Sequence, residues 1–212
     1  VVMVLSVLHV GWVTPGGSGA AAAARLADLA DLGITAVEVM PVADFPGRFG
    51  WGYDGVCMFA PTRLYGTPDD FRRFVDHAHA VGIGVVLDVV YNHFGPDGNY
   101  IREFAPQFLS TRHTTEWGEP FNFDGPAAGP VREFFVANAG YWVEEFHVDG
   151  LRLDATHAIF DDSEDHLVAA VVRRVREAGK GRATYVMGEN EPQNPDLARP
   201  PAVGGCGCDA IW

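Results

Sequence analysis

The feature that most constrains the fold is an alternation of short apolar runs with segments of helical periodicity. Runs rich in Val, Ile and Leu recur five times, and a helical segment follows most of them. Strands this apolar cannot face water on either side, so they belong to a parallel sheet that helices cover. The predicted strands span residues 1–10, 34–41, 83–90, 148–154 and 183–189.

The helices between these strands are predicted from periodicity and from residues that favour helix ends. Residues 20–32 carry leucines at helical spacing, and Gly33 ends that segment. Pro68 lies in the first turn of a helix over residues 68–81, and Ser163 can cap a helix that runs to residue 178. Another helix is predicted over residues 131–146.

Two architectures begin with this alternation: an open doubly wound sheet and a closed (β/α)8 barrel. No Gly-x-Gly-x-x-Gly motif or P-loop follows any of the strands, which removes the main reason to choose a nucleotide-binding sheet. We therefore predict an α/β fold of the TIM (β/α)8 barrel type. Such a barrel needs about 250 residues, and this chain has 212. We expect residues 1–212 to be a partial catalytic barrel domain, an incomplete fragment covering about the first five β/α units.

Two long connections are predicted to form the active face of the barrel. Residues 43–67 and 94–130 are rich in Gly, Pro, aromatic and polar residues, and each follows a predicted strand. Loops of this length in a compact domain are usually functional. In a barrel, the loops that follow strands lie on the C-terminal face, where active sites are found.

Charge and composition narrow the class of partner. The formal net charge is −13, which disfavours nucleic acid and anionic membranes as partners. No apolar run approaches the roughly 20 residues that span a bilayer. Cys57, Cys206 and Cys208 form no disulfide framework, so we interpret them as free thiols in a reducing compartment. Residues 1–10 lack the basic leader of a signal peptide, and we expect a cytoplasmic protein.

Two carboxylates at the ends of neighbouring predicted strands suggest acid–base chemistry. Arg152 and Asp154 share one face of their strand, and an Arg beside an Asp favours the ionised form that a nucleophile needs. Glu189 ends the next strand. Neighbouring strands lie about 4.8 Å apart, so the two carboxylates can approach to about 5 Å, the spacing of a retaining glycosidase pair. Partial burial near another anion would favour a protonated Glu189, as a general acid requires.

Further polar and aromatic residues lie at or after the carboxyl ends of other predicted strands. Asp88 and His93 lie at the end of the third strand, where Arg152 is the obvious partner for Asp88 and His93 can donate to a sugar hydroxyl. Trp51 and Tyr53 follow the second strand and can form a stacking surface for a sugar.

Each of these residues also has a structural interpretation. Taken singly, they could be an ion pair, a solvated strand end, a structural histidine or loop packing. The coincidence of four clusters at the carboxyl ends of strands favours a shared functional site.

At these motifs the sequence resembles the α-amylase family, glycoside hydrolase family 13. Residues 88–93 are similar to its first signature region, residues 150–154 to its second, and Glu189 to its third. The resemblance implies that Asp154 is the nucleophile and Glu189 the acid/base. It also implies that Tyr53, Asp88, His93 and Arg152 line the sugar subsite at the point of cleavage, with no cofactor.

Within the family, the sequence resembles members that release trehalose from maltooligosyl trehalose. The similar stretches include GWGYDGV at residues 50–56 and DVVYNHFGPDGNY at residues 88–100. Asn92 matches a calcium-ligand position of many amylases, but this group of relatives implies no metal. The family's third carboxylate would lie beyond Trp212, so we expect the 212-residue chain alone to be inactive.

Three alternatives stay open. The parent could be an α-glucan branching or debranching enzyme of the same family. It could be a glycan-binding barrel without catalysis, although the presence of both Asp154 and Glu189 disfavours this. It could also be a metal-dependent barrel enzyme using His93 and His157, although no spacing groups them with two carboxylates.

Overall fold

Six strands form one parallel sheet in a computed structural model that describes residues 3–212. A separate pair, β3 and β4 in the list below, is antiparallel and lies in the segment after the second sheet strand. In the described residues the strands are β1 (Leu5–Leu8), β2 (Ala36–Val39), β3 (Ala43–Asp44), β4 (Cys57–Pro61), β5 (Gly84–Val89), β6 (Gly150–Leu153), β7 (Tyr185–Gly188) and β8 (Ala210–Ile211).

The order of the sheet strands distinguishes between the two architectures that the sequence left open. The order is β1-β2-β5-β6-β7-β8, so each new strand pairs with the one before it and the direction of growth never reverses. A doubly wound sheet reverses its order at a switch point, whereas a barrel does not. The observed order is therefore that of a barrel wall.

Helices cover the outer face of this sheet. α3 begins after a capping box in which Thr67 and Asp70 bond reciprocally, with Pro68 as its first residue, as predicted. The helices in residues 3–212 are α1 (Gly19–Ala23), α2 (Leu26–Asp31), α3 (Pro68–Ala80), α4 (Ile101–Phe104), α5 (Ala128–Glu145) and α6 (Leu167–Ala178), with 3-10 turns at Arg63–Tyr65, Pro106–Phe108, Thr156–Ala158, Pro195–Leu197 and Pro201–Val203.

The five predicted strands are present but are shorter than the apolar runs suggested, whereas two of the predicted helices differ from the prediction. The first predicted strand, residues 1–10, is ordered as β1 over Leu5–Leu8, and Val1 and Val2 lie outside the described residues. A sixth sheet strand, β8, occupies part of residues 209–212. Among residues 3–212, no helix is long and apolar enough to cross a membrane.

The single helix predicted over residues 20–32 is wrong, because the segment is two helices. The break lies at Arg25, whose N–H bonds the carbonyl of Ala22 three residues back, which tightens the turn. The tighter turn leaves Leu26 fully buried, whereas Leu32 is 78% exposed. The leucine spacing predicted one continuous buried face, but only part of that face packs on the core.

The predicted N-cap at Ser163 is also wrong. α6 begins four residues later at Leu167, whose N–H donates to the carboxylate of Asp161 at 2.6 Å. Arg132 holds that carboxylate in place, and its ion pair fixes Asp161 where the helix starts. The N-cap is His166, whose ring Nδ1 accepts a main-chain N–H at 3.2 Å, and together with Asp161 it replaces the hydroxyl cap that the sequence favoured.

The alternation of side chains along the sheet strands separates the helix-facing core from the inner face. Leu87, Leu151 and Leu153 are buried in the hydrophobic core that the strands share with α3, α5 and α6. Asp88 and Arg152 occupy the alternate positions and therefore point to the other face of the sheet. The inner face consequently presents charge at the end of the strands.

Gly150 in β6 provides a test of the sheet packing. A Cβ at this position would lie 2.2 Å from the backbone carbonyl oxygen of Tyr185 in β7, and neither backbone can move without disturbing the ladder. We expect Gly150→Ala to lower the free energy of unfolding of the full-length protein by about 2 kcal/mol or more. Urea denaturation would measure the change.

Gly84→Ala in β5 is the matched control. A Cβ there meets its nearest atom at 3.6 Å, an ordinary contact. We expect this variant to be neutral or more stable than the parent, because alanine reduces the entropy of the unfolded chain. Equal effects of the two variants would contradict the close approach of β6 and β7.

Candidate active site

The candidate site forms where β5, β6 and β7 end. The register places Asp88 of β5 beside Arg152 of β6. Asp154 follows β6 directly, and Glu189 follows β7. Because parallel strands end at the same edge of a sheet, these four side chains converge, as the sequence predicted.

Arg152 is the centre of this convergence. Its Nη1 donates to both carboxylate oxygens of Asp88, at 3.0 and 3.1 Å, and to Oδ1 of Asp154 at 2.7 Å. Its Nη2 lies 3.8 Å from Oε2 of Glu189. The predicted pairing of Asp88 with Arg152 is therefore present, and one guanidinium contacts all three carboxylates. Burial acts to lower the pKa of Arg152, but the carboxylates of Asp88 and Asp154 outweigh that effect and raise it above its usual value.

Asp88 is the most deeply buried of the three acids. Its side chain is inaccessible to solvent, and the hydroxyl of Tyr53 donates to its Oδ2 at 2.8 Å. Burial raises the pKa of Asp88 to about 7, although the guanidinium of Arg152 opposes that rise. Burial, together with the Asp88 carboxylate, also raises the pKa of Tyr53, so its hydroxyl stays a donor.

Asn92 and His93 form the wall of the site beside Asp154. The amide of Asn92 donates from Nδ2 to Oδ2 of Asp154 and to its main-chain oxygen, both at 2.9 Å. The amide oxygen of Asn92 accepts from Nδ1 of His93. Burial lowers the pKa of His93, while the nearby carboxylates of Asp154 and Asp54 oppose that effect. His93 is therefore held neutral and fixed next to Asp154.

The main chain after Asp154 holds Glu189 in position. Ala155 has a left-handed conformation, with φ of 40°, which a residue with a side chain rarely adopts. This conformation directs its N–H to Oε2 of Glu189 at 2.6 Å. Thr156 donates from both its N–H and its hydroxyl to the carbonyl of Glu189, at 2.8 and 2.7 Å. These three hydrogen bonds help to join the segments that follow β6 and β7.

Trp51 lies apart from this network. Its ring contacts Trp12 edge to face at 6.3 Å, and Trp12 in turn contacts His9 at 4.8 Å. Both tryptophans are more than half exposed. Among the described residues, Trp51 makes no hydrogen bond to the Arg152 cluster, so it is an exposed aromatic surface outside that network.

The predictions from the sequence missed several residues of the site or assigned them another role. Asn92 was interpreted only as the equivalent of a calcium ligand, whereas its amide bridges Asp154 and His93. Ala155 acts through its backbone and Thr156 through both its backbone and its hydroxyl, and no residue pattern in the sequence indicated either role. Trp117 stacks on His93 with ring centroids 5.7 Å apart, and its place in a long loop gave no periodic signal.

The histidines do not form a metal centre among the described residues. The grouping of His, Asp, Glu or Cys ligand atoms found within residues 3–212 is His113, Asp124 and Asp162, which includes neither His93 nor His157. Arg112 already contacts both of those aspartates at 3.1 Å. A cation there would compete with an existing guanidinium, so this grouping suits an ion-pair network better than a metal.

The arrangement is suited to a reaction that develops positive charge. Three carboxylates surround a single guanidinium, so the cluster holds more potential negative than positive charge. Asp154 and Glu189 keep partial access to solvent, with side chains 16% and 26% exposed. An oxocarbenium-like transition state between two carboxylates has this electrostatic requirement.

The chain is similar to the α-amylase family, and its sheet is part of a TIM barrel. The sequence model of the α-amylase catalytic domain matches residues 20–121. A crystal structure from Salmonella typhimurium assigned to the α-amylases superposes with a TM-score of 0.88 at 44% identity, covering 92% of this chain and 33% of that one. The α-amylase of Geobacillus thermoleovorans superposes with a TM-score of 0.80 at 18% identity, covering 99% of this chain and 51% of that one, which supports the fold alone.

Within the family, the sequence is similar to malto-oligosyltrehalose trehalohydrolases. It is 43% identical over 99% of the chain to the enzyme of Saccharolobus solfataricus and 46% identical over 97% of the chain to that of Arthrobacter ramosus. The 1,4-alpha-glucan branching enzyme GlgB of Rhodospirillum rubrum is 35% identical over 85% of the chain and is covered to 27%. The chain spans about a third of the length of the trehalohydrolases, 36% in each of these two.

The role of Arg152 in stability can be tested by a double-mutant cycle. Arg152→Met would leave the buried Asp88 without its cation, so we expect it to lower the free energy of unfolding of the full-length protein by about 3–5 kcal/mol. Asp88→Asn in the same chain should recover part of that loss. Arg25→Met removes an exposed pair with Asp28 and should change stability by less than about 1 kcal/mol. A loss at Arg152 no larger than that at Arg25 would contradict the central role of the guanidinium.

The lowered pKa of His93 predicts a pH dependence of stability. As pH falls through the unfolded value near 6.5, the unfolded chain binds the proton before the folded protein does. The stability that His93 contributes is therefore fully present above that pH. It is lost as pH falls towards the pKa of His93 in the folded protein. We expect His93→Gln to lose less stability than the parent between pH 8 and pH 5.5, measured by thermal unfolding. Parallel losses in both proteins would contradict the burial of a neutral His93.

Proposed function

We propose that the full-length protein containing this chain is a retaining glycoside hydrolase that releases trehalose from maltooligosyl trehalose. The observation that carries this proposal is the contact of one guanidinium, Arg152, with carboxylates at the ends of three adjacent strands. The similarity to trehalohydrolases supports the choice of substrate. Residues 1–212 would then form part of the catalytic barrel, with the segments 43–67 and 94–130 as loops on its active face.

Asp154 is proposed to be the nucleophile. Arg152 binds one of its oxygens and Asn92 the other, which keeps the carboxylate oriented for attack. Asp154 attacks the anomeric carbon of the sugar on the glycone side of the cleaved bond. A glycosyl ester forms as the bond to the leaving oxygen breaks.

Glu189 is proposed to be the acid/base. Its Oε2 accepts the N–H of Ala155, which leaves Oε1 free to carry the proton. Glu189 gives that proton to the glycosidic oxygen as Asp154 attacks. In the second half of the reaction Glu189 takes a proton from water, and the water oxygen displaces Asp154 with overall retention of configuration.

The neighbouring residues are proposed to bind the sugar at the point of cleavage. Tyr53 is proposed to contact the sugar with its hydroxyl oriented by the buried Asp88 behind it, and His93 lies beside Asp154. Arg152 positions the carboxylates. Trp51, exposed on the β2 side, is proposed to stack on a more distant sugar.

The substrate is a neutral glucan, and this agrees with the other properties of the chain. The net charge of −13 disfavours nucleic acid and anionic lipid, whereas it has no effect on an uncharged sugar. The proposed chemistry uses side chains alone and needs no cofactor or metal. The three free cysteines are compatible with a reducing compartment, and we propose that the protein is cytoplasmic.

The proposal is tested by incubating the full-length protein with maltotriosyl trehalose and, separately, with maltopentaose. We expect free trehalose from the first substrate, since the cut falls next to the trehalose unit. Cleavage or branching of maltopentaose without release of trehalose would retain the family mechanism and favour a branching enzyme, as the similarity to GlgB allows. Binding without any product would favour a glycan-binding barrel.

The proposed roles of the two carboxylates predict different losses of activity when each is substituted. Asp154→Ala should abolish release of trehalose, and Glu189→Gln should lower kcat by about 10²–10⁴-fold. Asp196→Asn, on an exposed surface pair, is the control and should leave kcat unchanged. Activity of Asp154→Ala close to that of the parent would contradict the assignment of the nucleophile.

A further inference from the structure

A buried carboxyl group in β2 takes no part in the proposed mechanism. Glu38 is only 3% exposed, and its neighbours Val37 and Val39 belong to the hydrophobic core between the sheet and the helices. Because side chains alternate along a strand, Glu38 points to the opposite, inner face of the sheet. A carboxyl group is rarely buried without a partner, so its presence there needs an explanation.

The register of the sheet places Glu38 one layer below the charged cluster. It pairs with Val86 of β5, which in turn pairs with Gly150 of β6. Asp88 and Arg152 lie two residues further along those same two strands and on the same face. Two residues of a parallel strand span about 6.6 Å. Glu38 therefore lies beneath the charged cluster, on the side away from the strand ends.

Glu38 and Arg152 each have a buried polar atom without a hydrogen-bond partner within residues 3–212. On Glu38 this atom is Oε2, an acceptor, and on Arg152 it is Nε, a donor. The terminal nitrogens of Arg152 face the three carboxylates of the site, whereas Nε bonds none of them. The unpaired acceptor and the unpaired donor are chemically complementary, and both belong to side chains of the inner face.

The charge of Arg152 acts on Glu38. Burial raises the pKa of Glu38, and the guanidinium opposes that rise because it stabilises the ionised carboxylate. Glu38 is therefore a fourth acidic group under the influence of the same cation. Unlike Asp154 and Glu189, it does not lie at the strand ends, where the sugar would be cleaved.

The proposed reaction changes the balance of charge around Arg152. When Asp154 forms the glycosyl ester, the carboxylate that accepts a hydrogen bond from Nη1 at 2.7 Å loses its negative charge. The guanidinium then has one anion fewer, and it must hold the same position until the ester is hydrolysed. An acidic group that the reaction does not consume can compensate for that loss.

We propose that Glu38 is a positioning residue for this reaction, whose carboxylate holds Arg152 from beneath and balances its charge while Asp154 is esterified. This inference rests on the proposed function. Glu38 acts through Arg152 and not on the sugar, so its loss affects the rate of the chemical steps rather than binding. It also lowers the stability of the folded protein, since a buried carboxyl group with an unpaired oxygen is costly.

The test measures trehalose release from maltotriosyl trehalose, and thermal unfolding, with the full-length protein. Glu38→Gln keeps the shape of the side chain and removes its charge. We expect kcat to fall about 10-fold with KM unchanged, because a contribution made only in the transition state is lost. Glu38→Met removes the polar atoms at similar volume. It should lower kcat at least as much but raise the melting temperature, because no polar side chain is then buried there.

Glu177→Gln is the matched control, because it makes the same substitution at an exposed acid of α6. It should leave kcat, KM and the melting temperature unchanged. A second control tests whether Glu38 acts through the guanidinium. In an Arg152→Lys background, Glu38→Gln should lower kcat by less than about 2-fold, since the group that it positions is no longer present.

A role confined to packing predicts the opposite pattern, in which Glu38→Met lowers the melting temperature and leaves kcat unchanged. That result, or an unchanged kcat in Glu38→Gln, would overturn the positioning role, while trehalose release by the parent would leave the proposed function standing. Equal losses of kcat in the parent and Arg152→Lys backgrounds would also overturn it, because Glu38 would then act independently of Arg152. Absence of cleavage by the parent would overturn the proposed function together with this inference.

Discussion

The candidate site depends on a single guanidinium, that of Arg152. It contacts carboxylates from three consecutive sheet strands and so fixes their relative positions at the edge of the sheet. Asp88 is buried beneath it, and a buried carboxylate without a cation would cost several kcal/mol. This contact depends on the register of β5 against β6, because a shift of one residue would turn Asp88 or Arg152 into the helix-facing core.

The groups around Arg152 orient Asp154 without adding positive charge. Asn92 is a neutral donor, His93 is kept neutral by burial, and the hydroxyl of Tyr53 remains protonated. The potential at the site is consequently set by the acids and their one cation. This is the environment in which a cationic transition state is stabilised relative to a neutral sugar.

The sequence predicted the parts of the fold and the site that follow from strict periodicity. Alternation along β6 separates Leu151 and Leu153 from Arg152, and adjacency of strands brings Asp88 to Arg152. The parts it could not predict depend on contacts across long distances in the chain. Asp161 replaces Ser163 at the start of α6 because Arg132, 29 residues away, holds it there. Trp117 reaches His93 only through the path of a loop, and loops have no periodicity to interpret.

The division of one predicted helix into α1 and α2 also depends on tertiary contacts that the sequence pattern does not show. Leucine spacing describes which residues can share a face, but the tight turn at Arg25 is selected by how Leu26 packs in the core. Propensity is a weak guide where tertiary packing opposes it. The strands were predicted more reliably than this helix, because a strand that is buried on both faces consists almost entirely of apolar residues.

The left-handed conformation of Ala155 has a consequence for how this site can change over evolutionary time. The hydrogen bond from its main chain to Glu189 makes the position of the proposed acid/base a property of the backbone, whereas the side chains of Arg152 and Asn92 hold Asp154. In a glycosidase the distance between the two catalytic carboxylates decides whether configuration is retained or inverted. Side chains that hold neither carboxylate can therefore diverge to accept new sugars or acceptors, while the turn and these two side chains preserve the stereochemical outcome.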